Sequence, residues 1–234
     1  MNVAVLGMGR LGASVAIRLE EAGVVVQRWR RGDPLPTGAD VWWITASDAA
    51  VPPIAARLPG EAVVLHAAGA HGPELVGERR ERGVLHPLMT FPGPERGIPE
   101  LRGVGARIDG TPLAASMARR IASSLGMRPF VLSGDPTRYH AAACLASGHL
   151  GALFLDAVAV LVDAGVPAEE APELLRPLAE ATLRRVSEGG PAALTGPAVR
   201  GDAATEARHL AVLSPERGEV YRVLADRIRA QRKG

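Results

Sequence analysis

The chain has 234 residues, and its 27 Lys plus Arg against 25 Asp plus Glu leave a formal charge of only +2, too even for a protein built mainly on attraction to nucleic acid or an anionic membrane. Lys233 is the single lysine and lies in the tail Gln231-Arg232-Lys233-Gly234, which reads as disordered; every other basic residue is arginine, so a mechanism that needs a buried catalytic lysine is all but excluded. One cysteine, Cys144, leaves no internal disulfide framework and no thiolate zinc site, and fits a reducing, cytoplasmic setting.

With 47% apolar residues the chain can bury a core as one large domain or two small ones, and the 3% aromatic content implies a core that is aliphatic and alanine-rich. Arg10 interrupts the first apolar run and no positive residue precedes it, so Val3–Leu6 reads as a buried strand and not as a signal sequence. No apolar run reaches the roughly 20 residues that a membrane helix needs.

From the start to about residue 133, short β-branched runs alternate with Ala/Leu/Arg segments at helical spacing, the pattern of βαβ units and a parallel sheet. Strands are expected at Val3–Leu6, Val25–Trp29, Val41–Thr45, Ala62–His66, Gly83–Leu85, Gly105–Ile108 and Arg128–Leu132. Asp135-Pro136 has the form of an N-cap followed by proline at the first helical position. Beyond it the strand pattern ends, and helices are expected at Thr137–Ala164, Ala168–Ser187, Asp202–Leu213 and Pro215–Ala230. The fold class is therefore α/β, with a sheet domain over residues 1–134 and an all-α domain over residues 135–234.

Gly7-Met8-Gly9-Arg10-Leu11-Gly12 follows the first strand directly and opens a helix over Leu11–Ala22. In that context Gly7 permits the tight turn, Gly9 lets backbone approach a pyrophosphate and Gly12 lets helix and strand pack, while the helix N-terminus offers N–H groups to phosphate. The second strand ends Arg28-Trp29-Arg30-Arg31, with arginine where an NAD-binding protein would place an acid for the ribose hydroxyl. Two forked guanidiniums suit a 2′-phosphate, so Arg30 and Arg31 point to NADP over NAD. Asp33, the rival acid, precedes Pro34 and reads as a turn residue. Thr45, Ala46 and Ser47 after the third strand complete the expected cofactor path. His66 and His86 stand at strand ends, where a histidine is as often structural as catalytic.

Gly7-Met8-Gly9-Arg10-Leu11-Gly12, His86-Pro87-Leu88-Met89-Thr90-Phe91, Tyr139-His140-Ala141-Ala142-Ala143 with Ala146-Ser147, and Leu194-Thr195-Gly196-Pro197 with Arg200-Gly201-Asp202 occur in this order. Together they resemble the Rossmann-fold proteins whose C-terminal helical domain was long catalogued as a domain of unknown function. That family is similar in architecture to pyrroline-5-carboxylate reductases and β-hydroxyacid dehydrogenases, and some members are described as an alternative ketopantoate reductase. The resemblance implies an NADP-dependent reductase, with the helical part as a substrate and dimerisation domain. Two positions depart from the family pattern: Gly148 stands where Asn follows the helix serine, and Ala68 where a serine precedes the fourth-strand glycine.

Helical spacing puts His140, Cys144, Ser147 and Gly151 on one face and His149 on the other. Cys144 on that face reads as a small buried apolar residue. Reduction of a ketone needs a proton donor for the developing alkoxide. The lysine used by related dehydrogenases is missing, so His140 is the expected donor, relayed by Ser147, with His86 second. Thr90, Thr195 and Arg200 are candidates for binding the substrate and its carboxylate. The expectation is a cytoplasmic homodimer that reduces a small anionic keto or imine substrate (ketopantoate-like or a cyclic imine) with NADPH, without nucleic-acid or membrane partners; the alternative is a catalytically silent NADP(H)-binding regulator.

Overall fold

The computed structural model describes residues 1–233, and Gly234 lies outside them. It divides into two compact units, Met1–Ser147 and Gly148–Gly234. The division falls after Ser147 and not at Asp135, because the first turns of the helix that begins at Pro136 pack with the sheet: Tyr139 meets Phe130 and His86.

In the first unit, seven strands among the described residues form one sheet in the order β2-β1-β3-β4-β5-β6-β7. They are β1 (Asn2–Leu6), β2 (Val25–Trp29), β3 (Val41–Ile44), β4 (Val64–His66), β5 (Arg82–Pro87), β6 (Gly105–Gly110) and β7 (Arg128–Val131). Helices α1 (Arg10–Glu21), α2 (Val51–Ala55) and α3 (Pro112–Ser124) cover its faces. The sheet is parallel from β2 through β5, but β6 pairs antiparallel with β5, and β7 follows β6 in parallel. This corrects the expectation of a wholly parallel sheet. A parallel return needs a crossover of a dozen or more residues, usually a helix. Between β5 and β6 the chain forms only the single short turn Pro94–Arg96 and comes back alongside in the opposite sense.

Aliphatic side chains do dominate the core, with Val3, Val5, Leu19, Leu65, Leu85 and Ile108 among the fully buried. Of the aromatics, the three tryptophans join that core. Trp29, Trp42 and Trp43 are all buried, and Trp43 donates its indole N–H to the Leu85 carbonyl at 3.1 Å. Each such ring removes more apolar surface from water than any aliphatic residue, so three suffice to anchor the sheet.

The helix from Pro136 is capped as expected: the Asp135 carboxylate accepts from the Thr137 N–H at 2.8 Å. It runs as α4 (Pro136–Cys144), a π-helical segment at Leu145–His149, and α5 (Leu150–Asp163). Over Pro136–Asp163 it is long and apolar enough to cross a membrane by length and composition, contrary to the expectation that no such run exists. The second unit continues with α6 (Ala171–Gly189), α7 (Pro197–Arg200), α8 (Ala203–Val212) and α9 (Pro215–Lys233). Asp202 caps α8 by accepting from the Thr205 N–H at 3.0 Å. Gln231–Lys233, expected as disordered tail, belong to α9.

Candidate active site

Strand order reverses between β1 and β3, since β2 lies on one side of β1 and all later strands on the other. In an open α/β sheet this is where a crevice opens beyond the strands' carboxyl ends. Gly7, with φ +114°, turns the chain there, and a side chain on it would press on the Ala46 backbone at 3.0 Å. At Gly12 a Cβ would lie 1.8 Å from the Gly7 carbonyl oxygen and 2.4 Å from Thr45 Oγ1. A Cβ at Gly9 would meet nothing within 4 Å, leaving this backbone open to a ligand at the start of α1.

Thr45 is buried, and its hydroxyl donates to the Gly7 carbonyl at 2.8 Å. It therefore braces the glycine turn from beneath, while Ala46 lies against that turn and Ser47 is exposed beside it. Met8 and Leu11 are half-buried against the core, and Arg10 is exposed on the first turn of α1. At the end of β2, Arg30 and Arg31 are exposed and, among the described residues, form no ion pair. Asp33 does close this turn: its carboxylate accepts from the Arg30 N–H at 3.0 Å. That bond occupies one of its oxygens.

The two strand-end histidines have different surroundings. His66 is fully buried; its Nδ1 accepts from the Ala68 N–H at 3.2 Å, so Nε2 carries the proton and donates to the Gly72 carbonyl at 2.9 Å. Burial pushes its pKa down to about 4, and it stays neutral as a tie for the loop after β4. His86 is half-buried, with Nδ1 2.8 Å from the Tyr139 hydroxyl. Its pKa is also lowered to about 4, first by burial and then by the neighbouring His140 and Arg107. The His86 and His140 rings meet edge to face at 6.3 Å between centroids. Gly69 makes the approach possible, since a Cβ there would lie 2.7 Å from His86 Nε2 and 2.8 Å from the His140 ring.

Sequence reasoning missed Arg107 and the part played by Tyr139. Arg107 is fully buried and donates to the carbonyls of Gly69 at 3.1 Å and His71 at 2.9 Å, and to Asp109 at 3.1 Å. Its Nε is buried with no partner among the described residues. Its guanidinium carbon lies 5.8 Å from the centre of the Tyr139 ring. Burial raises the Tyr139 pKa to about 12 against the opposing pull of Arg107, so the phenol stays protonated. The missing signal was register: His86 and Arg107 are direct partners across the antiparallel β5–β6 ladder, a pairing that a parallel sheet would not make.

His140 and Cys144 meet as helical spacing requires, with Nδ1 and Sγ 3.9 Å apart. Cys144 is half-buried, less enclosed than expected. Ser147 donates to the Ala143 carbonyl at 2.7 Å, and among the described residues no hydrogen bond joins it to His140. The π-helical segment adds backbone per turn, so face arithmetic cannot be carried past Leu145 to Gly151. Thr90 is exposed on the loop after β5. In the second unit Thr195 and Arg200 are exposed on the loop and short helix before Gly201, whose φ of +69° ends α7. Arg200 forms no ion pair with Asp202.

A seven-stranded sheet with a glycine turn at its switch point, followed by a helical unit, defines a Rossmann-type α/β protein with an α-helical C-terminal part. Residues 105–228, more than half of the chain, match the family described as Domain of unknown function (DUF2520), and the chain belongs to that family. No curated protein sequence matches it. Among solved structures, it is similar to a Bacteroides fragilis protein named for an inferred NADP oxidoreductase activity (TM-score 0.82, 21% identity, 98% of each chain covered). It is similar to protein TM1727 of Thermotoga maritima (TM-score 0.75, 19% identity, covering 99% of this chain and 98% of that one). A reductive aminase from Aspergillus terreus, solved with NADPH4, cyclohexanone and allyl amine, also shares the fold (TM-score 0.65, 20% identity, covering 97% of this chain and 92% of that one).

Proposed function

We propose that this chain is a cytoplasmic NADPH-dependent oxidoreductase that reduces a small anionic keto or imine substrate. The observation that carries the reading is the Gly7–Gly12 turn at the switch point, open at Gly9, with the unpaired guanidiniums of Arg30 and Arg31 at the end of the neighbouring strand. In this reading the N–H groups opening α1 hold the pyrophosphate, and Arg30 and Arg31 hold the 2′-phosphate. Reduced nicotinamide, when bound, supplies a hydride.

The protein's own part is to bind, orient and protonate. His140 and His86 at Gly69 offer the proton donors, and Thr90, Thr195 and Arg200 are the candidates for substrate and carboxylate binding. The A. terreus reductive aminase gives weight to a C=N substrate, and the ketopantoate-like alternative stays within the same chemistry. A homodimer through the C-terminal helices is supported by α5, which is rich in leucine and valine yet has no buried residue. Away from Asp156 and Asp163, which pair with Arg217, an apolar helix surface of this kind is stable in water only when covered.

Thermal-shift titration tests the cofactor reading: NADPH is expected to raise the melting temperature more than NADH, and Arg30→Ala with Arg31→Ala to erase the difference. A larger shift with NADH would overturn the assignment. NADPH oxidation against ketopantoate, other 2-oxo acids and cyclic imines then tests the reaction. Gly148 and Ala68, which replace two polar residues of the family pattern, favour the second reading, a silent NADP(H)-binding regulator. Tight NADPH binding with no turnover over the panel supports it.

A further inference from the structure

We propose that His86 delivers the proton to the substrate through Nε2, that Tyr139 replenishes it through Nδ1, and that the buried guanidinium of Arg107 balances the negative charge left on the Tyr139 oxygen. This rests on the reductase reading above. Tyr139 and Arg107 are positioning residues in this scheme, since they act through His86.

Three contacts carry the inference. The Tyr139 hydroxyl lies 2.8 Å from His86 Nδ1. A phenol that stays protonated donates to that nitrogen, which puts the proton of the neutral imidazole on Nε2. Nε2 is the ring atom that lies against Gly69, just beyond the carboxyl end of β4, on the edge of the sheet where ligands bind. The third contact is Arg107 beneath the Tyr139 ring. A buried cation is costly unless matched by a buried anion. Its one carboxylate partner, Asp109, is 37% exposed, its other bonds go to neutral carbonyls, and Nε has no partner. The guanidinium is therefore matched only by a partly exposed carboxylate, and a transient tyrosinate would give it a second counter-charge. The other groups acting electrostatically on His86 are His140, His66 and Asp48; the first two are neutral when unprotonated and leave Arg107 the one fixed cation among them.

The step balances. As the substrate carbon accepts a hydride, the π pair of its C=O or C=N bond moves to the heteroatom, which takes the proton from Nε2. The N–H pair stays on the ring, Nδ1 takes the Tyr139 proton, and water later reprotonates the tyrosinate. A neutral imidazole donor of this kind keeps its proton until charge develops on the substrate.

Nitrogen-15 NMR of the histidine-labelled protein, read alongside NADPH oxidation, tests the relay. In the wild type the His86 proton is expected on Nε2, and in Tyr139→Phe that preference is lost while kcat falls by about 100-fold with the KM for NADPH unchanged. Arg107→Lys, which keeps the charge, is expected to retain more activity than Arg107→Met, whose His86 titrates at higher pH. A wild-type proton on Nδ1 overturns the relay whether or not the protein turns over. Unchanged kcat in Tyr139→Phe overturns it and leaves the reductase reading standing. An Nε2 proton with no turnover over the whole substrate panel overturns the reductase reading, and the relay's catalytic role with it.

Discussion

At the scale of single residues, the tightest constraint in the molecule is Gly12. A methyl group there would overlap the Gly7 carbonyl oxygen and strike the Thr45 hydroxyl, and both are held by backbone or by a buried hydrogen bond, so neither can yield. Gly12→Ala is expected to cost about 1–3 kcal/mol of stability by overpacking and to abolish the NADPH-induced thermal shift; chemical denaturation and the same titration check both. His66 makes a second prediction. Its folded pKa, about 4, lies below its ordinary value near 6.5, so between those limits the unfolded chain binds more protons than the folded one. Stability therefore rises with pH through that window and is level above it. Protonating His66 costs the fold roughly 3 kcal/mol across that window, and a His66→Gln variant, in which the amide can replace the tie to Gly72, is expected to make the acid limb of a melting-temperature profile shallower, leaving the share due to His86. An unchanged limb would assign the acid sensitivity to other groups.

Among the elements, most of the first unit was legible in advance. β2 was expected at Val25–Trp29 and forms there, the other strands shift by one or two residues at their ends, and Asp135-Pro136 and Asp202 start the helices they were expected to start. These features are local: β-branched runs, a capping carboxylate and a proline act within a few residues of themselves. The π-helical segment at Leu145–His149 and the reversal of β6 were not legible, because neither has a local cause of comparable strength. Helical periodicity runs across Leu145 unbroken in the sequence. Strand propensity at Gly105–Ile108 is the same whichever way the chain runs. For α5 the element's own composition makes a prediction. Leu155 is 67% exposed on a helix with no buried residue, so Leu155→Glu is expected to weaken self-association, measured by analytical ultracentrifugation, with little loss of helix content by circular dichroism. Wild-type behaviour in the variant would place the contact elsewhere.

For the molecule as a whole, two compact units on one chain, one with its own sheet core and one built from helices with few buried residues, predict different dependences on concentration. If the helical unit is completed by a second copy, its unfolding temperature rises with protein concentration, whereas the sheet unit, with cores on both faces, unfolds independently of it. Differential scanning calorimetry over a hundredfold range of concentration separates the two, and two concentration-independent transitions would argue against the dimer. By itself the sequence determined the α/β class, the glycine turn that opens α1 and the paired arginines after β2, since each depends on neighbours in the chain. It also placed His86 and His140 among the candidates, His86 by its position at a strand end and His140 by its helix face, the family resemblance and the missing lysine. Tertiary structure decided what those histidines touch. Only the antiparallel return of β6 sets Arg107 opposite His86, and only the packing of α4 brings Tyr139 onto both. The bare Gly69 then lets the rings close up. Those contacts join residues far apart in the chain, and no periodicity or spacing records them, because they are fixed by strand direction and packing and not by propensity.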